Sequence, residues 1–394
     1  MNIRLFKPSI GQEELDNIKK VFDREWLGLG PTVSQFEQEW NEYVGTKMSI
    51  GLNSATAALH LALMAYKFPR GKKVLVPALT FAATATAVLY NDLIPVFVDV
   101  EEETASMDLA DLDRKYTEDC VAVIPVHNGG YPVPMDKLME WAKPKGLIVI
   151  EDCAHCAGGD YKGKKLGTWG DIGCYSFEEK KCMTTGDGGM ISSNHVDIIE
   201  PLKAQRWVGI DKDTWKRTQS ANNEGTNDAM HWHYEIALLG YKYNMNDVAA
   251  AIGLAQLHKL DKMNNQRRDI IQTYVEGIKD LKTIKPIFPY DKNHGAYWYF
   301  AIRSEHRDEL IVFLKNKGIA TGVHFYPLTM QPLFKSYAKD CPVAEKIWET
   351  FITLPSHADL TKEELEYTIA ALKEFDAQNK INGQTESISF NTKL

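Results

Sequence analysis

The sequence predicts an α/β protein, with a large domain on a mostly parallel sheet and a smaller α+β domain after it. Three observations carry this. Short apolar, β-branched runs alternate with helix-length segments through the first half of the chain, and strands spaced by helices pair in parallel. Polar and acidic residues recur at the ends of those runs, where open α/β sheets collect their ligands. The 394 residues also exceed what a single hydrophobic core usually organises.

The elements follow in chain order. Ser54-Ala-Thr-Ala-Ala-Leu-His-Leu-Ala-Leu-Met64 opens with cap-type residues and continues as an alanine- and leucine-rich helix. Residues 73–77, 94–100, 121–126, 147–151 and 172–177 read as strands. Residues 84–90 and 135–143 supply helices between them. Asp99, His127, Asp152 and Ser176 then stand at or just past strand ends. A second capped helix begins near Asn244 and runs to about Met263, where polar Asn264-Asn-Gln-Arg-Arg268 leads into alternating helices and short strands up to about Phe375. The expected division is 1–250, 251–378 and a polar, fraying tail over 379–394.

Bulk properties exclude several classes. A net charge of −8 argues against a basic nucleic-acid surface. No apolar run reaches the roughly 20 residues that span a bilayer, and the first residues lack the apolar stretch of a secretory signal. Six cysteines in a chain this long read as reduced thiols, so the cytoplasm is the expected location. Cys153-Ala-His-Cys156 spells C-x-x-C, but no second ligand pair stands at zinc spacing. Core thiols are the expectation there, with a redox pair as the other reading, and no metal is expected.

The chemistry concentrates in three places. Ser176-Phe-Glu-Glu-Lys-Lys181-Cys-Met-Thr-Thr-Gly-Asp-Gly-Gly189 places a lysine five residues after a serine, before a glycine-rich turn. Glycines permit close backbone approach to a ligand, and a partly desolvated lysine loses its proton and attacks carbonyls. A solvated Glu-Glu-Lys-Lys charge run is the plainer reading of the same residues. The start of the Ser54 helix offers free N–H groups and two hydroxyls, an anion site. Glu151-Asp152-Cys-Ala-His155 ends a strand with two carboxylates and an imidazole, and a carboxylate there can pair with a protonated ring nitrogen.

With these residues in view, the chain resembles the DegT/DnrJ/EryC1/StrS family of pyridoxal-phosphate-dependent sugar aminotransferases. The resemblance runs from Trp26-Leu-Gly-Leu-Gly-Pro31 to Leu354-Pro355. It rests on Asn53-Ser-Ala-Thr-Ala-Ala58, Pro77-Ala-Leu-Thr-Phe81, Glu151-Asp-Cys-Ala-His155, the lysine loop, Gly240-Tyr-Lys-Tyr-Asn-Met245 and Gly322-Val-His-Phe-Tyr-Pro327. It implies the type I, aspartate-aminotransferase-like fold, with pyridoxal 5'-phosphate as cofactor and a homodimer whose active site lies at the interface. By the same resemblance Lys181 is the Schiff-base residue, selected over Lys180 by the count from Ser176. Asp152 binds the pyridinium nitrogen, His155 the ring hydroxyl, and Phe81 stacks on the ring. Ser54, Ala55, Thr56 and Ser176 hold the phosphate, and His324 lines the substrate cleft.

Three departures from the family pattern stand out. Glu178-Glu179-Lys180 replaces the usual His-Pro-Thr before the lysine. Gly-Tyr-Asn-Tyr-Arg-Met becomes Gly240-Tyr-Lys242-Tyr-Asn244-Met, so either Lys242 or Asn244 takes the role of reaching the neighbouring subunit's phosphate. The segment 210–236, with Trp215, His231, Trp232, His233 and Tyr234, is long and aromatic, and is expected to pack or touch substrate. The resemblance implies glutamate as donor and a keto or aldehyde sugar as acceptor. The departures favour the subgroup that aminates an eight-carbon acid sugar, forming 8-amino-3,8-dideoxy-manno-octulosonate for lipopolysaccharide. A nucleotide-linked 3- or 4-keto-6-deoxyhexose is the alternative. A sister group of dehydratases replaces the lysine with histidine, and Lys181 argues against it. The intact residue set argues against a non-catalytic sugar-binding protein.

Overall fold

The structure, a computed structural model, describes residues 1–211, 233–291 and 294–389, with the backbone alone for 380–389. Trp215, His231 and Trp232 lie outside the described residues. Nine strands belong to the first domain: β1 Met48–Leu52, β2 Lys73–Pro77, β3 Ile94–Val98, β4 Cys120–Val123, β5 Ile148–Cys153, the small hairpin of β6 Asp160–Tyr161 and β7 Lys164–Lys165, β8 Ile172–Ser176 and β9 Gly189–Ser193. Seven of them form one sheet in the order β1-β9-β8-β5-β4-β2-β3. Only β9 runs against its neighbours, and the remaining pairs are parallel. Val74, Leu75, Val76, Ala122, Val149, Ile150 and Cys174 are fully enclosed, because helices cover both faces of such a sheet.

The sequence reading found the five parallel strands of the centre and missed β1 and β9. Met48-Ser-Ile-Gly-Leu and Gly189-Met-Ile-Ser-Ser are too rich in glycine and serine to announce a strand. The glycine has a tertiary reason: a Cβ on Gly189 would lie 2.4 Å from the Ser54 carbonyl carbon. Its absence lets β9 pass against the first turn of the helix Ala55–Ala65.

The helix capped by Asn246 extends over Asp247–Ile278 and does not end near Met263. The polar stretch 264–268 continues it because tertiary partners satisfy its side chains. Asn264 donates to the Ala157 carbonyl at 3.0 Å, and Arg268 donates to the Gly295 carbonyl at 2.8 Å. Such a helix, at 1.5 Å per residue, is about 48 Å long. It packs against the first domain at its start and against the final helix further along.

The second domain has a three-stranded antiparallel sheet of β10 Lys285–Pro286, β11 Phe300–Arg303 and β12 Phe351–Leu354. The helices Arg307–Asn316 and Lys362–Ser389 cover it. The last helix continues past residue 378 to Ser389. The chain start joins this core: Ile3 is buried there, donates to the Gly318 carbonyl at 2.8 Å and accepts from Ala320 N–H at 3.0 Å. Leu5 and Phe6 are thereby carried toward the first domain. No helix among the described residues is long and apolar enough to cross a membrane.

Candidate active site

A cavity of about 630 Å³ opens where the carboxyl ends of β5 and β8 meet the starts of two helices, Ala55–Ala65 and Ala82–Tyr90. The second domain closes it with Trp298 and residues 322–325, and the chain's start with Leu5 and Phe6. Ser54, Ala55, Thr56, Phe81, Asp152, His155, Ser176, Lys181 and His324 all line it. These residues span 270 positions of sequence; the crossovers of the sheet bring all but His324 to one place, and the second domain supplies His324.

Asp152 is buried, and burial pushes its carboxyl pKa up. Opposing that, Thr84 donates its hydroxyl to Oδ2 at 2.8 Å and Ala154 N–H donates to Oδ1 at 3.1 Å. Thr80 backs Thr84 at 3.0 Å, one helical turn earlier. Ser54 caps its helix by accepting from Ala57 N–H at 3.1 Å. The N–H groups of Ala55 and Thr56, in the first turn, then have no helical acceptor. Ser176 is buried and accepts from Glu178 N–H at 3.4 Å.

Burial lowers the Lys181 pKa to about 8, although Glu178 and Asp152 pull it back up. Its Nζ lies 3.5 Å from the ring centroid of Trp298. His155 stacks on Trp298 at 4.2 Å and 17°. Burial, with Lys181 adding to it, holds the His155 imidazole well below its usual pKa and therefore neutral. Gly129 N–H reaches its Nδ1 at 3.4 Å. Position 129 must be glycine: φ is +62°, and a Cβ would come within 2.5 Å of the Tyr299 ring. His324 sits 2.9 Å from Thr353 Oγ1, and burial, then Lys181 and Lys180, push its pKa down to about 4. Phe81 is 58% exposed on the cavity wall, 6.0 Å from Phe325.

Lys242 and Asn244 are not in this cavity. Lys242 donates to Asn244 Oδ1 at 2.7 Å, and its Nζ lies 3.4 Å from the Trp207 ring centroid. Tyr241 and Tyr243, on either side of Lys242, line a neighbouring recess that shares Ser54 and Thr56 with the main cavity.

The other candidates resolve into scaffold. Glu151 points away from Asp152, as successive strand residues do, and accepts from Gly167 N–H at 2.8 Å and Gly170 N–H at 2.7 Å. His127 meets it at 3.1 Å through Nε2. Asp99 accepts from Val343 and Ala344 N–H at 2.9 and 2.8 Å, holding the helix Pro342–Ile347. Ligand atoms of His127, Cys153 and Cys156 lie within 4.8 Å of one another. Val133 N–H occupies the lone pair of His127 Nδ1 at 3.2 Å, which leaves the proton on Nε2 facing Glu151. No ring lone pair remains for a metal, and both thiols are buried and free.

Sequence reasoning missed Trp298, Thr84, Leu5 and Phe6. Trp298 sits in the run Gly295-Ala-Tyr-Trp-Tyr299, which reads as core. Thr84 lies in the first turn of the helix Ala82–Tyr90, where nothing in the sequence marks it off from its alanine and threonine neighbours.

The donor set fits one group: a buried carboxylate for a protonated ring nitrogen, unfilled first-turn N–H groups for a phosphate, and a readily deprotonated amine for an aldehyde. With the sheet order, this is the site of a pyridoxal-phosphate-dependent aminotransferase of the aspartate-aminotransferase type, and the family and relatives make it a sugar aminotransferase. The chain belongs to the DegT/DnrJ/EryC1/StrS aminotransferase family, which matches residues 8–373. It is 37% identical to an uncharacterised protein of Methanocaldococcus jannaschii, over 95% of this chain and 98% of the relative. It is 34% identical to a GDP-perosamine synthase of Escherichia coli O157:H7, with the same coverage of 95% and 98%. Among solved structures, a putative sugar aminotransferase of Streptococcus pneumoniae in its PMP form superposes with a TM-score of 0.87. It is 28% identical, over 96% of this chain and all of the other.

Proposed function

We propose that this enzyme takes the amino group of glutamate and delivers it to an aldehyde or ketone carbon of a sugar, with Lys181 as nucleophile and proton carrier. The observation that carries the assignment is the buried Lys181 amine, with its pKa of about 8, in one cavity with Asp152 and the first turn of the Ser54 helix. Pyridoxal phosphate, when bound, supplies an aldehyde and an electron-withdrawing ring. Asp152 would hold the proton on the ring nitrogen, His155 the ring hydroxyl, and Phe81 one ring face. Ser54, Ala55, Thr56 and Ser176 would hold the phosphate. Lys181 would carry a proton from the carbon bearing the donor's amine to the cofactor's aldehyde carbon, and in the second half-reaction from that carbon to the acceptor's carbonyl carbon. Its depressed pKa keeps an appreciable fraction deprotonated near neutral pH. His324, neutral and between the domains, would touch substrate. Lys242 or Asn244 would serve the phosphate of a neighbouring copy in a homodimer.

For the acceptor we infer 3,8-dideoxy-8-oxo-manno-octulosonate. Lys180, which lines the cavity beside Glu178 with its ammonium 3.7 Å from that carboxylate, is the cation this reading assigns to the sugar's carboxylate. A nucleotide-linked keto-6-deoxyhexose is the second reading, supported by the GDP-perosamine synthase among the relatives. Formation of 2-oxoglutarate from glutamate with each acceptor separates them. Turnover with the nucleotide sugar and none with the 8-oxo acid would overturn the first. Lys181→Ala is expected to lower turnover at least about 10³-fold. Borohydride trapping of cofactor on Lys180 in that variant would move the nucleophile.

A further inference from the structure

We propose that Trp298 is a positioning residue for Lys181, one that fixes its backbone and shields its amine. Three contacts meet on this indole. Its Nε1–H donates to the Lys180 carbonyl at 2.7 Å, which pins the peptide leading into Lys181. Its ring face lies 3.5 Å from the Lys181 ammonium nitrogen. Its flat surface is stacked, on Phe6 at 4.9 Å and 11° and on His155 at 4.2 Å and 17°. The indole is itself fixed, because Trp298 N–H donates to the Gly129 carbonyl at 2.9 Å and the side chain is 6% exposed.

The consequence is geometric and then electrostatic. A lysine has four rotatable bonds, so an unsupported amine samples many positions and few productive ones. Trp298 restrains both the backbone and the tip of this one. The indole face also attracts a cation but excludes water from it, and desolvation is the larger of the two for a buried amine. The charged and titratable groups around Lys181 are Glu178 and Asp152, which favour its proton, and Lys180, which opposes it. Cys182 is buried beside it, and His155 and His324 are neutral. Removing the indole frees the Lys180 carbonyl and one face of His155 but takes away no charge, so the midpoint of Lys181 reads the loss of the ring over its amine. The second domain thereby reaches into the first to set the reacting amine, and Phe6 couples the chain's start to the same point.

The proposal rests on Lys181 being the reacting amine, and the test keeps the two apart. In cofactor-free protein, site-resolved acetylation by acetic anhydride across pH gives the titration midpoint of Lys181, with Lys180 as the internal reference. Trp298→Leu is expected to raise the midpoint by about one unit, toward the ordinary lysine value of about 10.4. Labelling at neutral pH then slows about tenfold, while Lys180 is unchanged. Trp298→Phe keeps a ring over the amine but loses the N–H, so the midpoint stays while kcat falls about tenfold at unchanged KM. An unchanged Lys181 midpoint in the leucine variant overturns the proposal. Should that variant not fold, a phenylalanine variant with unaltered kcat overturns it equally. Failure of the underlying reading would show separately, as wild-type protein in which borohydride traps no cofactor on Lys181.

Discussion

The two faces of β5 at its carboxyl end carry nearly the same chemical groups and do opposite things. On one face, Glu151 accepts from Gly167, Gly170 and His127, and the cysteines beside it are sealed. On the other, Asp152 accepts from Thr84 and Ala154, and borders an open cavity with His155 and Lys181. An acid and a histidine are therefore not a site by themselves. The saturated pair is a brace, whereas the pair with space in front of it and a desolvated amine nearby can do chemistry.

The comparison breaks most decisively by exchanging charge at the two acids. Asp152→Asn is expected to leave the protein folded and lower turnover by about 10²-fold, because the countercharge to the ring nitrogen is gone. Glu151→Gln is expected to leave kcat of the folded protein near wild type but cost about 2 kcal/mol of stability, since its three donors lose a charged acceptor. Equal loss of kcat in both, measured beside urea denaturation, would erase the distinction between the faces.

The cavity face also stores a cost that pH reveals. The folded Lys181 pKa is about 8, below the ordinary lysine value, so the unfolded chain binds more protons between about pH 8 and 10. Stability of the cofactor-free protein attributable to this group therefore rises with pH through that window. Lys181→Met is expected to be more stable than wild type at pH 7 by on the order of 3 kcal/mol, an advantage that vanishes near pH 10. Urea titrations at the two pH values read this directly, and an equal gap at both would show that the amine is not desolvated. The smallest effect is expected from Thr84→Val, which removes one donor from Asp152 and should lower kcat about fivefold, about 1 kcal/mol. A change in KM alone would place Thr84 outside the cofactor's support.

Much of this site was legible in the sequence because its signals are local. A cap before an alanine-rich helix, an acid at a strand end and a lysine before glycines each follow from a few adjacent residues. What was not legible depends on distant partners. The long helix Asp247–Ile278 passes through a polar stretch only because Ala157 and Gly295 meet its side chains. The strand β9 opens on a glycine because Ser54 lies against it.

The sequence by itself determined the inventory: the parallel core strands, the reactive lysine and the residues able to face a phosphate and a ring nitrogen. It did so because hydrophobic runs, caps and turns are set by neighbours along the chain. The tertiary structure alone decided which of two adjacent acids opens on the cavity and which histidines are braces. It also decided that an indole from the second domain and a phenylalanine from the chain's start close over Lys181. Those choices rest on sheet order, strand pleat and burial, and no local stretch of sequence specifies them.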